Sequence, residues 1–189
     1  MKTIACLSLF LISTLSAVAQ RYVADSQQSK LSWTGHSEIG SYAPSGTVQL
    51  RQGLIQVRNG QISQARIDID MRTIQHENGQ MQTHLRGEDF FDTAKFPTAT
   101  FTVQQISGGQ ASGLLTIKGV TKPISFPVMV TLSGDMIHLK GQASIDRTLF
   151  GVNYNSTSFF AGLGDHAIRN TFELTFDLLA RRGNAVADR

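Results

Sequence analysis

The stretch "ARIDIDM", Ala65 to Met71, decides the fold class, because apolar and charged residues alternate through it without a break. Side chains of a β-strand point alternately to opposite faces of the sheet, so this stretch has one apolar and one polar face. The polar face carries Arg66, Asp68 and Asp70, for which solvation is the default state. The pattern predicts a strand of an antiparallel sheet with core on one side and water on the other.

Segments with the same period precede and follow this stretch along the chain. Upstream, the run "GLIQV" (53–57) leads to Asn59-Gly60, a dipeptide typical of a two-residue hairpin turn. Downstream, "ISFPVMVTL" (124–132) alternates in the same way, and its Pro127 indicates an edge, a bulge or a bend, because proline cannot donate to a strand ladder. Together these segments predict roughly eight or nine strands, enough to close a barrel or to build a sandwich.

Two longer segments interrupt the strand pattern. Residues 72–97 combine helix formers with polar residues, and residues 147–169 are rich in glycine, asparagine and serine. Long excursions between short hairpins tend to be functional loops. Each excursion contains one pair of adjacent phenylalanines, namely Phe90-Phe91 and Phe159-Phe160.

The beginning of the chain, residues 1–19, is predicted to be a cleaved secretory signal peptide. A short basic start precedes an apolar run over residues 4–15, and Ala17 and Ala19 occupy the small-residue positions of a signal-peptidase site. The apolar run is too short to span a bilayer. Cleavage after Ala19 would remove Cys6, the only cysteine, and would place the protein in the periplasm or outside the cell.

The rest of the chain is predicted to form one domain over residues 20–180, because no linker or low-complexity run divides it. Residues 181–189 lose the periodicity and are expected to be a flexible tail. The formal net charge is +3, with acidic and basic residues interspersed. No block of lysine or arginine could follow a phosphate backbone, so nucleic acid is not expected as a partner.

Residue patterns typical of catalysis or of metal binding are not found in this sequence. The five histidines show neither HxH nor HExxH spacing, and neither a GxSxG motif nor a phosphate-binding loop occurs. Glu88, Asp89 and Asp92 are close in sequence, but surface or turn-capping positions account for them. The sequence therefore predicts no enzyme, no metal and no cofactor. A hydrolase that uses Asp89, Asp92 or His166 remains as the catalytic alternative.

An excess of aromatic side chains on the inward faces of the predicted strands remains to be explained. An ordinary packed core accounts for any single one of them. A barrel of about eight strands, however, has room for either its own side chains or one slender ligand. Composition does not decide between a filled core and a binding cavity.

Five segments of the chain are informative when they are taken together and in order. They are "YVADSQQSKLSWTG" (22–35), "HLRGEDFFDTAKFPTATFTV" (84–103), "GLLTIKGVTKPISFPVMV" (113–130), "IDRTLFGVNY" (145–154) and "FELTFDLLA" (172–180). In this common order over residues 22–180, they resemble the sequence pattern of YceI-like proteins. No single segment is diagnostic.

This resemblance implies an all-β fold, namely an extended, lipocalin-like antiparallel β-barrel of about eight strands with a short helical excursion around residues 72–97. It also implies that a long-chain apolar lipid, such as a polyisoprenoid, an isoprenoid quinone or a fatty-acid derivative, binds in the barrel interior. The expected function is therefore that of a non-catalytic binding protein. A structural or partner-binding barrel with a filled core is the alternative. Contact with a membrane or a partner protein, and a homodimer, are left open.

The resemblance also places the family's fixed positions on this chain. These are His84, Leu85, Asp89, Phe90, Phe91, Asp92, Pro97, Phe101, Leu115, Thr116, Gly119, Thr121, Arg147 and Phe150. We assign cavity-lining roles to apolar residues that are expected to face inward. They are Trp33, Ile69, Leu85, Phe90, Phe91, Phe101, Leu115, Ile117, Phe126, Val128, Phe150, Phe160, Phe172, Leu174 and Phe176.

Overall fold

The structure, a computed structural model, describes residues 19–183, so all but the last residue of the predicted signal peptide and most of the predicted tail lie outside the described residues. Within that range the chain forms nine strands, one α-helix and two short 3-10 turns. The strands are β1 (Gln20–Ala24), β2 (Lys30–Thr34), β3 (Ser45–Arg58), β4 (Gln61–Gln75), β5 (Thr98–Ser107), β6 (Gln110–Ile117), β7 (Val120–Ser133), β8 (Met136–Asp146) and β9 (Thr171–Arg182). The helix is α1 (Gly79–Arg86), and the 3-10 turns are Arg147–Phe150 and Gly164–His166.

All nine strands belong to one antiparallel sheet that closes on itself through the pairing of β3 with β4. Strands β1 and β2 lie end to end between β3 and β9, because β1 pairs with residues 54–57 of β3 and β2 pairs with residues 45–48. The nine strands therefore occupy eight positions around a closed barrel. This arrangement confirms the predicted all-β barrel of about eight strands with a short helix.

Two-residue turns with positive φ angles join neighbouring long strands. Asn59 and Gly60, with φ angles of 54° and 73°, connect β3 to β4 as the sequence predicts. Lys118 and Gly119, with φ angles of 49° and 76°, connect β6 to β7 in the same way. Positive φ at both central residues matches the right-handed twist of the flanking strands.

Strand β4 shows the two faces predicted from the stretch 65–71. Its alternate apolar residues are buried in the barrel. On the outer face, Arg66 Nη2 lies 3.0 Å from Asp68 Oδ1, and Arg72 Nη2 lies 2.7 Å from Asp70 Oδ2. The hydrogen bond from Arg72 lowers the pKa of Asp70 below its usual value. Charges of opposite sign along the strand thus neutralise each other at the surface.

Pro127 lies where β7 changes its partner. Residues 120–127 of β7 pair with β6, and the pairing with β8 begins at Val128. Within residues 19–183, the first half of β7 is therefore paired on one side only. Pro123 and Pro127 both lie in this half, where a missing N–H costs no ladder hydrogen bond. The prediction that Pro127 marks an edge or a bend is confirmed.

Two strands extend a few residues beyond the segments that the sequence pattern marks as strands. Strand β4 continues to Gln75, so the helical excursion begins later than residue 72. The helix begins after Asn78, whose side chain accepts hydrogen bonds from two backbone N–H groups of the first turn. Strand β9 continues to Arg182, two residues into the predicted tail, because Arg182 pairs with Tyr22 of β1.

The excursion between β4 and β5 closes one end of the barrel. Leu85 of α1 is buried, and Arg86 Nη2 donates to the carbonyl oxygen of Ile74 at 2.8 Å. From the turn between β6 and β7, Lys118 Nζ donates to the carbonyl oxygen of Glu88 at 2.7 Å. The excursion is thereby fixed to two separate parts of the barrel end. No helix among residues 19–183 is long and apolar enough to cross a membrane.

We expect Gly46→Ala to lower the free energy of unfolding by about 1–3 kcal/mol through overpacking. A Cβ atom at Gly46 would overlap the carbonyl oxygen of Gln75 and lie 2.8 Å from the Trp33 ring. Chemical denaturation monitored by tryptophan fluorescence measures this change. Gly79→Ala is the matched control, because its Cβ meets no atom within 4 Å and alanine favours the helix. Equal stability of the two variants would contradict the packing argument.

Candidate functional site

A cavity of about 470 Å³ lies inside the barrel beneath the end that α1 closes. Its volume falls in the range of ~300–1,000 Å³ that is typical of small-molecule sites. The barrel strands contribute only apolar side chains to its wall, apart from Thr171 at the start of β9. The polar lining residues come from the loop 35–44, from α1 and the turn before it, and from the excursion 147–170. The cavity is therefore apolar towards the barrel interior and polar towards the closing segments.

Outside the strands, four exposed polar residues line the cavity and define its rim: Tyr42, Asn78, Gln80 and Arg169. The Tyr42 side chain shows how open the rim is, because the residue is 59% exposed and yet borders the cavity. Sequence reasoning missed the rim residues, because they lie in loops or at the start of α1, where no periodic signal marks them.

A second cavity of about 70 Å³ lies further inside the barrel and is lined by apolar residues only. Four side chains line both cavities and separate them: Ile69, Leu115, Ile145 and Leu174. They come from β4, β6, β8 and β9 respectively. We refer to these four residues as the aliphatic ring.

Thirteen of the fifteen residues predicted to line a cavity border one of the two cavities or both. Their contact with a ligand remains a prediction. The large cavity is bordered by Trp33, Ile69, Leu85, Phe90, Phe91, Leu115, Ile117, Phe172 and Leu174. The small cavity is bordered by Phe101, Phe126, Val128 and Phe176, and by the ring residues Ile69, Leu115 and Leu174.

The structure corrects the predicted positions of Phe160 and Phe150. Phe160 is 51% exposed, because its N–H donates to the carbonyl oxygen of Ser156 in a surface turn. Phe150 is 1% exposed and packs in the core, away from both cavities. Both residues lie outside the strands, where the alternation that supported the inward prediction does not apply.

Phe90 and Phe91 form an aromatic wall between the helical excursion and the large cavity. Both are buried, as the sequence predicts. The centre of the Phe90 ring lies 5.4 Å from that of His84 and 5.7 Å from that of Tyr154. Phe91 meets Phe172 of β9 edge to face at 6.3 Å. These contacts join the excursion 72–97, the excursion 147–169 and the barrel into one lining surface.

The backbone after α1 turns sharply enough to point both phenylalanines inward. The Phe91 N–H donates to the carbonyl oxygen of Leu85 at 3.2 Å, and the Asp92 N–H donates to that of Gly87 at 2.8 Å. Asp92 adopts a positive φ of 45°, a conformation that aspartate tolerates better than most residues. The Asp89 side chain remains exposed. This stretch is therefore a tight connection and not an acidic site.

Arg147 fixes the excursion 147–169 at the cavity wall. The residue is only 3% exposed, and its guanidinium donates to the carbonyl oxygens of Val152, Ile168 and Arg169 at 2.7, 3.0 and 3.0 Å. The guanidinium also lies over the ring of Phe90, 5.8 Å from its centre. Burial lowers the pKa of Arg147. Within residues 19–183 Arg147 forms no ion pair, so backbone carbonyls and an aromatic face stabilise its charge.

The residues of the catalytic alternative do not come together. Asp89 and His166 are exposed and Asp92 is half-buried, and no hydrogen bond or ion pair joins any two of them in the described part of the chain. No group of three or more histidines, cysteines, aspartates or glutamates that could hold a metal ion occurs among residues 19–183. The geometry therefore gives the hydrolase hypothesis no support.

The fold and the cavity together define an antiparallel β-barrel with an internal apolar chamber. The sequence profile of the YceI-like domain matches residues 22–180. The chain therefore belongs to the YceI-like domain family.

Curated relatives match part of the chain. Protein YceI of Escherichia coli and Protein YceI of Shigella sonnei are each 30% identical to it over 82 residues. Each match covers 41% of this chain and 43% of the relative, so the chain spans less than half the length of the curated relatives that it matches.

Solved structures share the fold over most of the chain. Burkholderia cenocepacia BcnA has a TM-score of 0.63 at 21% identity, covering 82% of this chain and 98% of that protein. A polyisoprenoid binding domain from Saccharophagus degradans, implicated in plant cell wall breakdown, has a TM-score of 0.66 at 17% identity, covering 86% and 98%. The Campylobacter jejuni YCEI protein has a TM-score of 0.53 at 16% identity, covering 96% and 94%. These likenesses show the same barrel fold.

We expect Arg147→Met to lower the free energy of unfolding by about 3 kcal/mol, because three carbonyl oxygens would lose their donor in a buried setting. Urea denaturation measures the change. Arg66→Met is the matched control on the outer face, where the loss of an exposed ion pair costs about 0–1 kcal/mol. A similar effect of both substitutions would contradict the structural role of Arg147.

Proposed function

We propose that this protein holds a long-chain apolar lipid inside the barrel and catalyses no reaction on it. The lipid class comprises polyisoprenoids, isoprenoid quinones and fatty-acid derivatives. One observation carries the proposal: the large cavity has an apolar wall within the barrel and polar residues only on the segments that close it and at the first position of β9. That distribution matches a molecule with a long apolar chain and a polar head.

The energetics of chain burial support this proposal. Each methylene group removed from water contributes ~0.8 kcal/mol, so a chain of about twelve methylenes would contribute ~10 kcal/mol. This amount offsets much of the association cost of ~4–15 kcal/mol. The wall side chains project from paired strands, so binding requires little additional ordering of the protein.

The polar residues of the rim favour one orientation of the bound molecule, with its head group at the opening of the cavity. Tyr42, Asn78 and Gln80 offer hydroxyl and amide groups at the opening of the cavity. A head group held there would keep its contact with water while the chain points towards the aliphatic ring. The structural similarity to a polyisoprenoid binding domain from Saccharophagus degradans supports the choice of ligand class.

The proposal includes secretion to the periplasm or the cell exterior, as the pattern of residues 1–19 indicates. A carrier in that location would keep an insoluble chain out of water between membranes, through transient contact with a membrane or a partner protein. Fractionation of cells that express the full chain should give a product shortened by about 19 residues outside the cytoplasm. Unprocessed protein in the cytoplasm would contradict this location.

A partner-binding barrel is the second candidate function, and one observation favours it. Phe159 and Phe160 are 55% and 51% exposed on the same surface turn. Exposed aromatic side chains are enriched at protein interfaces. The two cavities weigh against the filled core that this alternative assumes.

We expect organic extraction of the purified protein, followed by mass spectrometry, to recover a chemically unaltered long-chain lipid.

Phe91→Ala should increase the rate of lipid loss about tenfold, because the wall would lose its contact with Phe172. Glu88→Ala is the control in the same stretch, because the Glu88 side chain is exposed. Protein that is empty in every preparation would favour the partner-binding alternative. Phe159→Asp should then abolish partner association.

A further inference from the structure

The aliphatic ring closes the barrel interior at one level. Its four members, Ile69, Leu115, Ile145 and Leu174, stand on four different strands around the barrel. Three of them are 6%, 4% and 2% exposed, in chain order, and Leu174 is half-buried. The large cavity ends at this ring, and the small cavity begins there.

The order of residues along β4 and β9 supports this layered arrangement. On β4, Met71 lines only the large cavity, Ile69 lines both cavities, and Ile67 lines only the small cavity. On β9, Phe172 lines only the large cavity and Phe176 only the small one, with the ring residue between them. Steps of two residues along each strand thus lead from one cavity, through the ring, to the other.

Strands β6 and β8 show the same order. On β6, Ile117 lines only the large cavity and Ala111 only the small one, on either side of Leu115. On β8, Arg147 directly beyond the strand lines only the large cavity, and Ala143 lines only the small one, on either side of Ile145. Four strands therefore place the same boundary at the same depth.

The aliphatic ring has one member, Leu174, that can yield to an apolar chain more easily than the other three. Its side chains are aliphatic and make no hydrogen bonds, so a change of rotamer breaks none. Leu174 is the least enclosed member. The space beneath it is lined by apolar residues only, so it has no polar partners for water and suits the end of a hydrocarbon chain.

We propose that the aliphatic ring sets the length of the apolar chain that the protein accepts. The chain runs from the rim to the ring, and its end stops against Ile69, Leu115, Ile145 and Leu174. A longer chain reaches the small cavity only by displacing the Leu174 side chain. This inference rests on the proposed lipid-binding function and adds a specificity determinant to it.

The test measures the affinity of the delipidated full-length protein for a homologous series of saturated straight-chain primary alcohols, by competition with a fluorescent fatty-acid probe. Affinity should rise about fourfold for each added methylene. The rise should stop at the length at which the chain end meets the ring. We call this length the break.

Leu174→Ala removes three carbon atoms from the ring and should move the break to chains longer by about three methylenes. Leu174→Phe should move it to shorter chains. Leu178→Ala is the matched control, because Leu178 lies on the same strand and lines only the small cavity. It should leave the break unchanged. Where Leu174→Ala fails to fold by circular dichroism, Ile69→Val gives the same direction with a shift of about one methylene.

The outcomes separate this inference from the proposed function. An unchanged break in both Leu174 variants, or a shift in Leu178→Ala equal to that in Leu174→Ala, overturns the ring as the determinant while lipid binding stands. The absence of alcohol and probe binding at every chain length, in the parent protein and in all variants, overturns the proposed function itself.

Discussion

The pairing of β3 with β4 is the interaction on which the rest of the structure depends, because it closes the sheet. A closed barrel of eight strand positions has an interior of fixed width. Every second residue of each strand must then share that interior, whatever its size. Small residues such as Ala99 leave space that neighbouring side chains do not fill, and the cavities are the result. Closure thus determines both the stability of the barrel and the room inside it.

The two excursions cover one end of the closed barrel, and an arginine fixes each of them. Arg86 donates to a carbonyl oxygen at the end of β4, and Arg147 donates to three carbonyl oxygens of its own excursion. The rigid guanidinium group suits this role, because one side chain can meet several fixed oxygens at once. These hydrogen bonds therefore hold the closing segments in defined positions above the apolar chamber.

Periodic features of the fold could be predicted from the sequence, and features of the loops could not. The alternation over 65–71 and the Asn59-Gly60 turn correspond directly to β4 and its hairpin. The inward positions of Phe90 and Phe91 followed from the resemblance to a known family. The predicted inward position of Phe160 is wrong, because this residue lies in a surface turn fixed by hydrogen bonds, where the strand period does not apply. The choice between cavity and filled core depends on side-chain volumes summed across the barrel, which no single segment of sequence carries.

The proline-bearing half of β7 has a consequence for the behaviour of the protein in solution. A strand paired on one side is a template on which another chain can add a strand and begin an aggregate. Pro123 and Pro127 each remove a backbone donor from residues 120–127. An incoming strand would find an incomplete row of partners there. The two prolines therefore make this half of β7 a poor template for the addition of another strand.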